Sequence, residues 1–243
     1  MDISFQNKRV LVTGAGQGIG RELVKALVRY GAEVIALSRT KEHLDTLCQE
    51  VNVTPVCVDL SDWDTAREAV RKIGPVDCLV NNAAVALLDP FLKAKPEDFD
   101  KSFAVNVKAV LNVSQVVAES MIQRGKGGTI VNLSSQASQA ALADHAIYCA
   151  SKAAVDQLSK VMALELGPHN IRVNCVNPTV VMTEMGKIGW SKPEKASTML
   201  SKIPMGRFAE PEDVVNAVIF LLSSKSDMIN GICVPIDGGF LAC

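Results

Sequence analysis

Apolar residues fall along this chain in two alternating patterns. Short runs rich in β-branched residues recur as Arg9-Val10-Leu11-Val12-Thr13, Glu33-Val34-Ile35-Ala36-Leu37, Val56-Cys57-Val58 and Val76-Asp77-Cys78-Leu79-Val80, then at 129–133, 171–176 and 232–236. Between them lie longer segments whose apolar positions return every three or four residues, among them 19–30, 64–73, 96–123, 148–166 and 211–222. The first pattern belongs to strands buried on both faces, the second to helices packed along one side. Gly31, Gly74 and Gly167 stand just past predicted helices, where a left-handed residue stops the coil. Strand and helix in alternation predict an α/β fold, a doubly wound and mostly parallel seven-stranded sheet with helices on both faces. No Pro/Ser/Gly-rich linker or repeat interrupts the series, so residues 1–243 read as one domain. The stretch 179–207 lacks a strand signal, contains Pro193 and Pro204, and is predicted to form a helical lid.

Composition narrows the function. Of the 243 residues, 48% are hydrophobic and 21% charged, as in an ordinary folded domain. Lys plus Arg is 25 against 26 for Asp plus Glu, which leaves no positive surface to neutralise nucleic-acid phosphates. Aromatics are only 5%, too few for base-stacking platforms. No run approaches the roughly 18 to 20 apolar residues of a membrane span, and the first nine residues lack the apolar core of a signal peptide. Seven cysteines are scattered with no Cys-x-x-Cys, and His43, His145 and His169 have no ligand spacing. Reduced thiols, a cytoplasmic setting and no metal site are therefore expected. His43 and His169 are expected at the surface, and His145 near a pocket.

Thr13-Gly14-Ala15-Gly16-Gln17-Gly18-Ile19-Gly20 joins the first predicted strand to the first helix. Gly14 permits a tight turn, Gly18 lets backbone approach a pyrophosphate, and Gly20 allows close packing of helix on sheet. The helix opening near Ile19 would aim free N–H groups and its positive dipole end at that phosphate. Further on stand Asp59-Leu60, Asn81-Asn82-Ala83-Ala84, Tyr148-Cys149-Ala150-Ser151-Lys152 with Ser135 thirteen residues before the tyrosine, and Asn177-Pro178. The glycine spacing and the order of these motifs over essentially the whole chain resemble the short-chain dehydrogenase/reductase family, with Ala84 replacing that family's glycine. The resemblance implies a Rossmann-type fold with a dinucleotide-binding half at about 1–100 and a catalytic half, including the lid, at 101–243. It also implies that Asp59 and Leu60 meet the adenine and Asn82 and Ala83 flank the dinucleotide. Pro178, Val181 and Thr183 would lie beside the nicotinamide.

The second strand ends in Ser38-Arg39-Thr40, with no carboxylate to bind an adenosine ribose and repel an added phosphate. Arg39 offers a permanently charged fork, and Ser38 and Thr40 offer hydroxyl donors, so NADPH/NADP+ is the expected cofactor. Gln17 departs from this, since many NADP-preferring relatives carry a basic residue in the glycine turn. Tyr148 and Lys152, four apart, share one helix face, and the ammonium is expected to draw the phenol below its usual pKa near 10. Tyr148 would then pass a proton to or from the substrate oxygen and Ser135 would hydrogen-bond that oxygen. By resemblance Asn106, in Phe103-Ala104-Val105-Asn106-Val107, would hold a water leading to Lys152.

Longer stretches, including 81–88, 161–169, 177–183 and 238–243, resemble those family members that reduce L-xylulose to xylitol and small α-dicarbonyls such as diacetyl, as homotetramers. Gln136 and His145 stand where they would bind substrate hydroxyls, and Trp190 where it would close the lid. A family member acting on 3-oxoacyl or steroid ketones would keep every motif, and a non-catalytic protein of this fold would not need the catalytic set.

Overall fold

The computed structural model describes residues 3–190 and 192–243. The seven strands are β1 (Arg9–Thr13), β2 (Glu33–Ser38), β3 (Thr54–Cys57), β4 (Cys78–Asn81), β5 (Gly128–Leu133), β6 (Ile171–Pro178) and β7 (Cys233–Ile236). They form one sheet in the order β3-β2-β1-β4-β5-β6-β7, every pairing parallel. Each lies within two residues or so of its predicted position. The chain winds outward in both directions from β1, so the connections after β1 and β4 leave opposite faces and open a crevice above the strand ends.

Alternate residues of each strand supply two cores. Val10, Val12, Val34 and Ala36 pack under α1 (Gly18–Arg29) and α9 (Pro211–Leu222). Leu11, Ile35, Leu79 and Ile130 pack under α3 (Trp63–Ile73), α5 (Ala109–Arg124) and α6 (Ala146–Leu166). α2 (Lys41–Glu50) rests its Leu44 and Leu47 on the first core. Burial on both faces is why the strand sequences are continuously apolar.

Two expectations need correction. The predicted helix 96–123 is α4 (Pro96–Phe103) and α5 joined by a π turn over Ala104–Lys108, where the Ala109 N–H reaches back to the Ala104 carbonyl. Gly167 does not stop α6 in a left-handed conformation. Its φ is −53°, a further 3-10 turn follows, and Asn170 takes the positive φ, 57°. A short polar side chain tolerates that region better than most non-glycine residues. The stretch 179–207 contains α7 (Glu184–Gly189) and α8 (Pro193–Leu200), anchored by a bridge between Val181 and Ala209.

Candidate active site

The crevice is built by its glycines. Gly14 (φ 64°) and Gly18 (φ 57°) occupy the left-handed region, and a Cβ on Gly14 would stand 2.8 Å from the Ala83 Cα. No other side chain fits there. Thr13 Oγ1 accepts from the N–H groups of Asn82 (3.0 Å) and Ala83 (3.1 Å), while Asn82 Nδ2 donates to the Thr13 and Gly14 carbonyls. The ends of β1 and β4 are thus tied edge to edge. Gln17, at the cap of α1, makes no side-chain capping bond and the first turn holds no acid, so the helix N-terminus is open to an anion.

A cleft of about 350 Å³ lies above this turn. Gly14, Gln17, Gly18, Ile19, Ser38, Arg39 and Thr40 line it, as do Asp59, Leu60, Asn82, Ala83 and Thr183. Gly20, Pro178 and Val181 are not among the lining residues; Gly20 packs against the Gly14 carbonyl, and Val181 is buried. Sequence reasoning missed Leu37, Val58, Val85, Val105, Glu184 and, above all, His43, which line the same cleft. His43 is expected at the surface but stands in the wall. Arg21 donates to the carbonyls of both Gly16 (3.0 Å) and His43 (3.1 Å), which draws the first turn of α2 over the glycine turn. Arg39 Nη1 lies 3.9 Å from Asp59, both side chains exposed, a pairing weak enough to yield to a ligand. Burial pushes the Asp59 carboxyl up, but hydrogen bonds from Ser61 and the Arg39 charge outweigh it, and its pKa is lowered. A cradle closed to Cβ atoms, an open helix N-terminus and a basic rim fit a phosphorylated dinucleotide.

Beside the cleft, β5 delivers Ser135 and the first turns of α6 deliver Tyr148 and Lys152. Lys152 Nζ donates to the Leu133 carbonyl at 2.8 Å and lies 5.7 Å from the centre of the Tyr148 ring. The expected lowering of the phenol is not found. Burial raises the Tyr148 pKa above 10, only partly offset by a hydrogen bond with Ser135. Lys152, buried, is itself lowered to about 8, with Cys175 and Asp156 opposing the shift. Desolvation outweighs attraction because the ammonium is directed at a carbonyl rather than at the phenol.

The family profile described as enoyl-(acyl carrier protein) reductase matches residues 14–241. Over 244 residues the chain is 59% identical to the L-xylulose reductase of Homo sapiens, covering all of both chains. It is 52% identical over 243 residues to the carbonyl reductase (NADPH) 2 of Sus scrofa, again over all of both. The solved gluconate 5-dehydrogenase of Burkholderia cenocepacia J2315, in complex with NADP and tartrate, superposes with a TM-score of 0.94 at 30% identity, covering 100% of this chain and 98% of that one. The chain belongs to the short-chain dehydrogenase/reductase family.

In this short-chain dehydrogenase/reductase the remaining predicted residues fall at unequal distances from the chemistry. Asn106 sits in the π turn, fully buried, its Oδ1 accepting from Val85 N–H (2.8 Å) and its Nδ2 donating to Val85 O and Ser151 Oγ, both 3.0 Å. Its side chain therefore secures the loop after β4, and both its N–H donors are already spent. Gln136 is buried with its Oε1 unpartnered. The His145 ring sets its edge toward Tyr148 at 6.3 Å, with Nδ1 2.6 Å from the Ala143 carbonyl. Trp190 packs on Phe208, just past the 179–207 segment, with ring centres 5.8 Å apart.

A buried brace behind Ser135 went unread in the sequence. The Ser135 carbonyl accepts from Ser138 Oγ (2.7 Å) and Asn177 Nδ2 (3.2 Å). Asp156 lies against both donors, 2.6 Å from Ser138 Oγ, whose single proton is shared between Asp156 and the Ser135 carbonyl, and 2.9 and 3.1 Å from Asn177 Nδ2.

Proposed function

We propose that the chain is an NADPH-dependent carbonyl reductase that reduces L-xylulose to xylitol and small α-dicarbonyls such as diacetyl. The observation that carries this reading is the junction of Ser135, Tyr148 and Lys152 beside a dinucleotide-shaped cleft whose rim is Ser38-Arg39-Thr40. The names of the human and porcine relatives support the substrate class, and NADP in the gluconate dehydrogenase supports the cofactor.

Gly14, Gly18 and Ile19 would hold the pyrophosphate, Arg39 with Ser38 and Thr40 the added phosphate, Asp59 and Leu60 the adenine, and Thr183 the nicotinamide end. When bound, the cofactor supplies a hydride to the carbonyl carbon. Tyr148 donates its phenolic proton to the carbonyl oxygen, and its raised pKa keeps that proton in place until the substrate arrives. Ser135 hydrogen-bonds the same oxygen as negative charge develops, and the Lys152 ammonium lies close enough to stabilise the phenolate left behind. Gln136, adjacent to Ser135 in the chain, would meet a substrate hydroxyl only if its buried and unpartnered Oε1 turned out of the core.

The segment 179–207 acts as a lid, residues 1–100 as the dinucleotide half and 101–243 as the catalytic half. Leu111 and Ile122 on α5 and Val161 and Leu164 on α6 remain exposed, which supports burial of these helices in a homotetramer. Seven free cysteines, and no described helix able to cross a membrane, fit a cytoplasmic enzyme. A panel of L-xylulose, diacetyl, a 3-oxoacyl thioester and a steroid ketone, each with NADPH, tests the reading. Turnover of the first two is expected; turnover of the thioester alone overturns it.

A further inference from the structure

Register pairs Cys175 of β6 with Cys233 of β7, so their side chains leave the sheet on the same face. α6 crosses that face and brings Asp156 onto the pair. One oxygen of Asp156 and the two sulfurs all lie within 4.8 Å of one another, with Asp156 and Cys175 buried and Cys233 partly exposed at the edge strand. Ser159, one turn further along α6, accepts from Cys175 Sγ at 3.0 Å and from Asn132 Nδ2 at 2.7 Å, which fixes the inner sulfur.

Two sulfurs and a carboxylate make a donor set that selects zinc-like cations over magnesium or calcium. Around a tetrahedral ion with metal–sulfur bonds of about 2.3 Å, the sulfurs stand about 3.8 Å apart, which small side-chain movements here would reach. The partly exposed flank of Cys233 leaves an entry path from solvent. We infer that Asp156, Cys175 and Cys233 form an inhibitory site for a thiophilic divalent cation, entered from the β7 side.

Inhibition follows from what Asp156 already does. Its oxygens hold Ser138 and Asn177, which both hold the Ser135 carbonyl. An oxygen taken by a cation loosens both donors and lets Ser135 move off the position that faces Tyr148. The glycine cradle is untouched, so the loss falls on kcat and not on the KM for NADPH. This inhibitory half rests on the carbonyl-reductase reading; the binding half does not.

Cadmium titration of the full chain, read by thiolate-to-metal charge-transfer absorption and by equilibrium dialysis, tests binding. Kinetics with zinc test the consequence. The parent should bind one cation per chain more than Cys233→Ser or Cys233→Ala, since the exposed Cys48, Cys57 and Cys243 contribute equally to all three. Saturating zinc should lower the parent's kcat at least about tenfold, reversibly with a chelator. The Cys233 variants should keep metal-free turnover and resist zinc. Equal stoichiometry and equal absorption in parent and variants overturn the site. An extra equivalent with unchanged turnover overturns its inhibitory role. Should the metal-free parent reduce neither carbonyl, the reductase reading fails while the cadmium comparison still decides the site.

Discussion

Lys152→Met removes the ammonium and keeps most of the chain's length and volume. In the folded protein burial lowers this lysine to about 8 from an ordinary 10.5, a gap of about 3 kcal/mol against the charged form. The unfolded chain holds the proton up to about pH 10.5 and the folded chain only to about 8. Between those values the unfolded state binds more protons, so stability rises with pH. Lys152 thus weighs on the fold fully below pH 8, and the burden fades as pH climbs to 10.5. Subtracting the stability of Lys152→Met reports this group together with its interactions with Cys175 and Asp156. Cys78, whose pKa burial raises, destabilises the fold as pH rises, but equally in both proteins. Cys175, raised by its hydrogen bond with Cys233 and by burial, interacts with Lys152, so the difference between the proteins includes that interaction. The expected result, from denaturant unfolding at steps between pH 7 and 10.5, is a difference that moves by about 3 kcal/mol in favour of the parent. At pH 7 the two should lie closer together than 3 kcal/mol. Removing the charge is offset by leaving the Leu133 carbonyl without its donor, worth about 1.5–3 kcal/mol. A pH-independent difference would show that Lys152 titrates normally or is already neutral, and the argument for a buried ammonium would be wrong. Turnover at pH 7 should fall by at least about a hundredfold.

Tyr148→Phe keeps the ring and should abolish carbonyl reduction while leaving NADPH affinity, measured by fluorescence titration, within a fewfold; turnover close to the parent's would remove Tyr148 as the acid. Arg39→Asp should raise the KM for NADPH by about one to two decades, matching the loss of a charged hydrogen bond, and hardly alter that for NADH; equal effects would mean Arg39 does not read the phosphate. His145→Leu should reduce L-xylulose turnover by about a decade, one lost hydrogen bond, and diacetyl much less, since diacetyl has no hydroxyls; a parallel fall would make the Ala143 contact the whole role of His145. Light scattering at micromolar concentration should give a tetramer, and a monomer would contradict burial of Leu111, Val161 and Leu164 against partners.

The strands and helices were legible because burial on two faces and burial on one leave different periods in a sequence. The glycine turn was legible because glycine takes φ values of 64° and 57° without strain and, at Gly14, leaves the room that the close approach of Ala83 needs. Tyr148 and Lys152 were legible because a helix puts residues four apart on one face. Tertiary structure decided what local spacing does not carry. It set the sign of the Tyr148 shift, since desolvation depends on what surrounds a group and not on its neighbour four residues away. It brought His43 into the cofactor cleft through Arg21, twenty-two residues distant. It also paired Cys175 with Cys233, fifty-eight residues on, under Asp156. Sheet order and register create that last proximity, and neither is written in the spacing of the cysteines.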